Sequence, residues 1–217
     1  MDNPIGTLKN KNFMIPIFPL SLVVYPGSKY PLHIFEERYK NMVKYSMKLD
    51  EPFGIVIFEN NTLGRIGTKV KVDSITKNYP DGSFDIIVRG KERFILKNLS
   101  ENIIGFFEAD VEAYEDVISG AYRDLENQMI DIFSEVIGKA NIDLGDNFYF
   151  NLEESKLKSF KIAEKAGLSL EQQQTLLTLQ NEGERIYLLI EHLKKLSVEL
   201  DSREQLRQIM QHDGFVN

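Results

Sequence analysis

Few residues in this 217-residue chain combine the types and the spacing that catalysis or metal binding requires. The chain has three histidines, which are His33, His192 and His212. No second histidine lies three or four residues from any of them, as a helical metal site requires. Acidic pairs such as Asp81 with Asp85 have the carboxylates for acid–base chemistry, but they fall in turns or solvated positions. We therefore expect no metal site and no catalytic centre.

Sequence motifs for nucleotide cofactors and covalent catalysis are also absent. There is no Gly-x-x-x-x-Gly-Lys-Ser/Thr phosphate loop, no Gly-x-Gly-x-x-Gly fingerprint and no Gly-x-Ser-x-Gly nucleophile. The lack of cysteine excludes disulfides, thiolate metal ligands and cysteine nucleophiles. We expect a protein with no cofactor and no enzymatic activity, located in the reducing cytoplasm.

Composition and charge narrow the classes of partner. No run approaches the roughly 18 apolar residues that cross a bilayer, so no membrane role is expected. Residues 1–115 carry 15 basic and 15 acidic side chains, whereas residues 116–217 carry 11 basic and 18 acidic ones. The whole net charge of −7 therefore lies in the second part. Because nucleic-acid binding depends on phosphate neutralisation by Lys and Arg, this balance disfavours it.

The first part of the chain, 1–118, is expected to form strands around one helix. Strands are expected over Met14–Leu20, Phe53–Phe58, Thr68–Lys77, Phe84–Val88, Arg93–Leu96 and Ile104–Glu112. Pro16 and Pro19 each remove a ladder donor, so the first strand should be an edge or bulged strand. Gly64 and Gly67 indicate a loop, and Gly90 indicates a turn. Short strands of this kind favour a small closed or half-closed barrel.

One helix within this part is expected to begin near Glu36. Phe35, Tyr39, Met42 and Val43 recur at helical spacing, and we expect Phe35, Tyr39 and Phe94 to fill the barrel core. The sequence Tyr79-Pro-Asp-Gly82 predicts a tight turn between two strands of a hairpin.

The remainder, 119–217, is expected to form a second, helical subdomain. Apolar residues from Tyr122 to Ile137 keep one face over four turns. Ser169 and Gln172 have capping-box spacing and should open a short helix. From Glu184 onward, leucine and isoleucine form the stripe of the longest helix. The fold class is therefore α+β, with a β pseudo-barrel followed by a helical bundle that ends in a long helix.

The motifs of the first part, taken together, resemble the LON domain, the substrate-binding N-terminal domain of Lon protease. The motifs are Ile15-Pro-Ile-Phe-Pro-Leu20, Tyr25-Pro-Gly27, Pro31-Leu-His-Ile-Phe-Glu-Glu-Arg-Tyr39, Phe53-Gly-Ile, Ile66-Gly-Thr68, Asp81-Gly82 and Gly90-Lys-Glu-Arg-Phe94. The helical part is similar to the second subdomain of that family, especially over Gln173–Leu193. The resemblance implies a PUA-like pseudo-barrel, and it extends over nearly the whole chain.

This resemblance implies a non-catalytic module that binds unfolded or tagged polypeptides, as an adaptor or chaperone-like factor in protein quality control. The sequence ends at Asn217 without ATPase or Ser–Lys protease motifs, so we expect a stand-alone LON protein similar to those of bacteria. A separate protease and self-association are the further partners that this expectation allows.

Binding of unfolded chains needs exposed aromatic or apolar surface. The sequence Asn147-Phe-Tyr-Phe-Asn151 places three aromatics, Phe148, Tyr149 and Phe150, between two helices. Adjacent aromatics cannot all face one core, so they either bind a partner or fill the junction between the subdomains. Tyr25 and Tyr79, each beside a turn proline, are candidates on the barrel rim.

Two alternatives remain open at the level of sequence. RNA binding through the barrel would need a basic patch built from Lys69, Lys71, Lys77, Arg89, Lys91 and Arg93. Binding of a small molecule would need a deep cleft between the barrel and the bundle, with a perturbed titratable residue inside it.

Overall fold

The computed structural model describes residues 13–117, 120 and 122–212. The strands are β1 Phe13–Leu20, β2 Lys29–Ile34, β3 Phe53–Glu59, β4 Thr62–Asn78, β5 Phe84–Glu101 and β6 Phe107–Ala113. The helices are α1 Glu37–Leu49, α2 Arg123–Lys139, α3 Asp146–Glu154, α4 Lys158–Ala163, α5 Leu170–Thr178 and α6 Glu182–His212. This order confirms the α+β class. Over these residues, no helix combines the length and the apolar character needed to span a membrane.

The sheet closes on itself through its longest strand. Its order is β2-β5-β4-β3-β1-β6, and β6 pairs in addition with the far half of β5. The first half of β5 pairs with β2, from Phe84 to Arg89, whereas its second half pairs with β6, from Phe94 to Glu101. Five strands thus form a closed ring, and β2 lies outside it as an edge strand.

Strand β1 differs from the expected edge strand because it has two partners. It pairs with β6 over Phe13–Ile17 and with β3 over Ile17–Leu20, so it changes partner at Ile17. Pro16 and Pro19 fall in different halves, and among the described strands each half has a partner on one side only. A proline is tolerated where the missing N–H falls on such a side, so a strand with two prolines can lie inside the ring.

The glycines expected in loops and turns lie inside strands, and this expectation is wrong. Gly67 lies in β4, where a Cβ atom would approach the carbonyl oxygen of Ile55 to 2.5 Å. Gly90 lies in β5, where a Cβ atom would approach the carbonyl oxygen of Tyr25 to 2.1 Å. These positions need glycine because another backbone segment approaches closely, not because the chain turns. As a result, β4 and β5 are much longer than predicted.

Helix α1 packs against the barrel interior. Tyr39, Met42 and Val43 are buried and belong to one apolar core with barrel residues such as Phe53. The helix ends at Leu49, and the C-cap residue Asp50 adopts the left-handed conformation. The predicted helix and its termination are confirmed, as is the β4–β5 hairpin.

The helical part shares a core with the outer face of the barrel. The buried faces of α2, α4, α5 and α6 lie in one cluster with the barrel-region residues Val23, Tyr25, Ile57 and Ile66. The capping box of Ser169 and Gln172 is confirmed. The strands end at Ala113 and the helices begin at Arg123, whereas the division into subdomains 1–118 and 119–217 stays a prediction.

Two buried arginines join the barrel to the helices. Arg185 of α6 is fully buried, and it donates hydrogen bonds to both carboxylate oxygens of Asp116 at 2.8 Å. Arg93 of β5 also donates to Asp116 and to the carbonyl oxygens of Leu177 and Leu179 at the end of α5. One carboxylate in the connection between β6 and α2 thus holds a strand and a helix together.

Substitution Asp116→Ala should therefore destabilise the protein strongly. It leaves two buried guanidinium groups without their shared carboxylate, which costs about 3 kcal/mol of the free energy of unfolding. The matched control is Asp73→Ala, because Asp73 also contacts two cations, Lys29 and Arg89, but at the exposed surface. That control should cost about 1 kcal/mol or less. Equal losses in urea unfolding would contradict the structural role of Asp116.

Candidate functional site

An apolar groove of about 590 Å³ lies on the barrel. It is bounded by the end of β1, the end of β2 with the start of α1, the β3–β4 turn, and the β5–β6 hairpin. The apolar residues that line it are Phe18, Pro19, Leu20, Ile34, Phe35, Tyr39, Phe58, Leu63, Leu99 and Phe107. Its polar residues are His33, Glu36 and Arg38. We call this feature the groove.

Phe35 is the most exposed aromatic side chain of the groove, with 63% of its surface accessible. The expectation that it fills the core is wrong, whereas Tyr39 and Phe94 are buried as predicted. The reason lies in the alternation of β2, where Leu32 and Ile34 face inward, so that Phe35 faces outward. In the sequence, Phe35 also fits the helical spacing of Tyr39 and Met42, which led to the wrong prediction, whereas the alternation of Leu32 and Ile34 indicates the outward position.

The floor of the groove is formed by its apolar lining residues, and Phe35 is not the only one of them that is exposed. Phe58 and Leu99 are exposed as well, although both lie on strands of the ring. Large apolar side chains that line a concavity and remain in water mark a site of interaction. The groove can therefore take apolar side chains of a partner.

Charged side chains at the rim are paired with each other. Arg38 forms an ion pair with Glu36 at 2.8 Å, and its guanidinium lies 4.6 Å from the ring centroid of Tyr39. Burial raises the pKa of Tyr39, so its hydroxyl stays neutral. These side chains therefore add no net charge beside the apolar floor of the groove.

A second polar group at the rim is built around Asp85. The Nδ1 atom of His33 lies 2.6 Å from one carboxylate oxygen, and the hydroxyl of Tyr79 donates to the other at 2.7 Å. The hydrogen bonds from His33 and Tyr79 hold the pKa of Asp85 below its usual range. The imidazole of His33 also stacks on Phe35, with ring centroids 5.8 Å apart. Tyr79 therefore lies beside the groove through its contact with His33.

The strand edges beside the groove are interrupted by prolines. Pro19 lies in the half of β1 that pairs only with β3. Pro31 lies in β2, which pairs only with β5 among the described strands. A proline in such a position removes an N–H group from the unpaired side. These edges are poor templates for an added strand.

Tyr25 is not on an accessible rim, and the expected surface position is wrong. Its side chain is fully buried, its ring stacks on Phe160 with centroids 5.4 Å apart, and its hydroxyl donates to the carbonyl oxygen of Gln173. The turn that carries Tyr25 is covered by the helical part, which a single sequence cannot indicate.

The three aromatics of the second part lie within helix α3, not between helices. Phe148 is buried and its ring packs against Phe133 with centroids 5.8 Å apart. Tyr149 and Phe150 are exposed, as expected for neighbours that diverge around a helix. None of the three lines the groove.

Acidic partners neutralise most of the side chains proposed for an RNA-binding patch. Lys69 pairs with Glu92, Lys71 with Asp50, and Arg89 with Asp73. Arg93 is buried with Asp116, and the ammonium of Lys77 lies 4.6 Å from the ring centroid of Tyr79. Four of the six side chains are compensated by an acidic partner, which disfavours a continuous basic surface for phosphate.

A smaller, polar cleft of about 410 Å³ lies between the barrel and the helices. It is lined by Gly27, Lys29 and Arg89 on one side and by Lys161 and Glu164 on the other. Lys161 and Glu164 pair with each other at 2.8 Å. Across the described ranges, no group of three or more His, Asp or Glu side chains could hold a metal ion.

Comparison with known proteins gives a family match over most of the chain. The family model described as the ATP-dependent protease La (LON) substrate-binding domain matches residues 14–195. A Lon protease of Buchnera aphidicola subsp. Schizaphis graminum is 26% identical over 200 residues, which is 84% of this chain and 25% of that protein. The match covers between 14% and 28% of the length of three such curated Lon proteases.

Two solved structures have a similar fold. A Lon N-terminal domain protein from Xanthomonas campestris gives a TM-score of 0.63 at 21% identity, over 82% of this chain and 98% of that chain. The N-terminal domain of a Mycobacterium avium complex Lon protease gives a TM-score of 0.66 at 13% identity, over 84% of this chain and 98% of that chain.

The buried position of Tyr25 can be tested by alkaline titration. Burial raises the pKa of Tyr30 to about 12 and also raises the pKa of Tyr25, and Glu164 adds to both shifts. Exposed tyrosines ionise near pH 10, so these two should ionise later in phenolate absorbance. Because unfolded tyrosine loses its proton first, the free energy of unfolding should fall as pH rises above about 10. In Tyr30→Phe the late fraction should shrink, and ionisation of all tyrosines near pH 10 would contradict the burial.

Proposed function

The chain belongs to the family of LON substrate-binding domains, and from this premise we propose that it is a non-catalytic module that holds apolar segments of unfolded polypeptides in the groove. The observation that carries this proposal is the concave surface where Phe35, Phe58 and Leu99 remain exposed to water. Unfolded chains expose the apolar side chains that such a surface can cover, whereas folded proteins bury them. The groove therefore distinguishes the two states by what each state exposes.

The size and composition of the groove suit reversible binding. Burying one aromatic or aliphatic side chain contributes about 1.5–3 kcal/mol, and a groove of this volume accommodates a few of them. Association also costs several kcal/mol in lost freedom of both partners. The net gain is therefore small and the affinity for one segment is weak, which permits release of a captured segment.

Recognition should proceed through side chains more than through the main chain. Pro19 and Pro31 remove N–H groups from the strand edges beside the groove, so an added strand would lack donors. Contacts with the apolar floor do not depend on the order of residues in a segment, so they give little sequence specificity. A module of this kind tolerates many sequences, as a binder of unfolded chains must.

The polar groups of the groove support binding rather than catalysis. The His33–Asp85 pair has the geometry of two members of a hydrolytic triad, but a nucleophilic hydroxyl is the third requirement. The nearest hydroxyl in the pair's hydrogen bonds is that of Tyr79, which donates to Asp85 and not to the imidazole. Over the described residues, no serine or threonine hydroxyl is hydrogen-bonded to His33.

The groove can be tested with Phe35→Ser and a matched control. The probe is a dye-labelled, unstructured peptide with a Leu-Phe-Leu-Phe core flanked by serines, and its affinity is measured by fluorescence anisotropy. Loss of one aromatic contact should weaken binding about tenfold, which equals about 1.4 kcal/mol. The control is Phe150→Ser on α3, because Phe150 is 62% exposed and Phe35 is 63% exposed.

The two substitutions separate the groove from the aromatic cluster of α3. Weaker binding in Phe35→Ser alone supports the groove. Weaker binding in Phe150→Ser alone would move the site to Tyr149 and Phe150 on α3, and absence of peptide binding in the unmodified protein would refute the proposed function.

The adaptor and chaperone-like roles predict different results with a denatured protein. A chaperone-like module should slow the light scattering of chemically denatured citrate synthase at equimolar concentration, and Phe35→Ser should lose this effect. An adaptor should instead speed degradation of the same protein by an added ATP-dependent protease. If neither effect is observed, the assignment to protein quality control is wrong, even if peptide binding persists.

A further inference from the structure

His33 is a titratable side chain at the groove, and a carboxylate fixes its orientation. Its Nδ1–H donates to Asp85 at 2.6 Å, and the hydroxyl of Tyr79 holds the other oxygen of that carboxylate at 2.7 Å. The ring is confined further by stacking on Phe35 and by an edge contact with Tyr79, whose centroid lies 5.4 Å away. The imidazole is thus held in one tautomer and one orientation.

The other ring nitrogen, Nε2, is left for a ligand. Half of the His33 side chain is exposed, at 50%, and it lines the groove. Across the described part of the chain, the hydrogen bonds of this ring involve Nδ1 alone. With Nδ1 protonated, Nε2 accepts a hydrogen bond when the imidazole is neutral and donates one when it is charged. The charge state of His33 therefore decides which partner group it prefers.

The charged side chains of this end of the groove balance each other while the imidazole of His33 is neutral. They are Asp85 on β5, Lys77 on β4 above the ring of Tyr79, and the Arg38–Glu36 pair at the start of α1. Two are positive and two are negative, so the rim is neutral with a neutral imidazole and carries one positive charge with an imidazolium. A single proton changes the electrostatic character of this end of the groove.

We propose that His33 makes the groove selective for apolar segments flanked by a carboxylate, and that this selectivity appears when the imidazole becomes protonated. The inference rests on the proposed function of the groove and specifies the substrate that it prefers. Nε2–H of the imidazolium donates to the carboxylate of the flanking residue while the apolar side chains cover Phe35. Asp85 is a positioning residue, because it acts only through His33.

The test compares three peptides that share the Leu-Phe-Leu-Phe core and are flanked by Glu, Lys or Ser. Affinities are measured at about pH 8 and about pH 5.5, a range in which an imidazole changes charge and glutamate stays ionised. The Glu-flanked peptide should bind about threefold to fivefold tighter at the lower pH, as one exposed ion pair allows. The Lys-flanked peptide should bind more weakly there, and the Ser-flanked peptide should change little.

Three variants assign the effect to this side chain. His33→Gln should abolish the pH response of the Glu-flanked peptide, and Asp85→Asn should reduce it because a neutral amide holds the imidazole less firmly than a carboxylate does. The control His192→Gln alters a histidine that contacts the carbonyl oxygen of Ala166, away from the groove, and should keep the full response. A positioning role of Asp85 changes the affinity ratio between the Glu-flanked and the Ser-flanked peptide, which a merely structural role would not.

The outcomes separate this inference from the proposed function. Binding of all three peptides with no pH response, or with a response that persists in His33→Gln, would overturn the role of His33 and leave the groove intact. Failure of every peptide to bind would overturn the groove and the role of His33 together.

Discussion

The architecture depends on a carboxylate shared by two buried arginines. Asp116 lies in the connection between β6 and α2, and it receives hydrogen bonds from Arg93 of the barrel and Arg185 of the longest helix. Two guanidinium groups so close together and so far from water are tolerable only when every partner is in place. Arg185 also donates to Glu182 and Ser159, and Arg93 donates to the carbonyl oxygens of Leu177 and Leu179, so the end of α5 is fixed by the same network. The position of the helices on the barrel is therefore determined by polar geometry as well as by the shared apolar core.

The groove follows from how the ring of strands is built. Strand β1 leaves β6 at Ile17 and continues along β3 alone, which opens the wall of the ring beside Phe18 and Pro19. Helix α1 covers the adjacent interior with Tyr39, but Phe35 precedes the helix and faces outward. None of the residues of the arginine network lines the groove. The stable junction and the accessible surface are thus separate parts of one molecule.

Local signals in the sequence were sufficient for the elements that depend on near neighbours. The capping box of Ser169, the helix ahead of Asp50 and the β4–β5 hairpin are encoded within a few residues, and each was predictable. The positions of Gly67 and Gly90 inside strands could not be predicted, because the backbone atoms that approach them belong to segments distant in the sequence. The site was least predictable: His33 and Asp85 lie 52 positions apart, and Tyr25 is buried by the helical part. Phe35 alone could have been placed correctly, from the alternation of Leu32 and Ile34.

The prolines at the open edges have a consequence for the proposed binding of unfolded chains. Segments rich in apolar side chains polymerise when they find an unpaired strand on which to extend a ladder. A binding surface with such an edge strand would nucleate aggregation of the segments that it binds and would become part of the aggregate. Pro19 and Pro31 each remove a ladder donor from an edge beside the groove, so a segment bound as we propose would contact the surface through its side chains and would not extend the sheet.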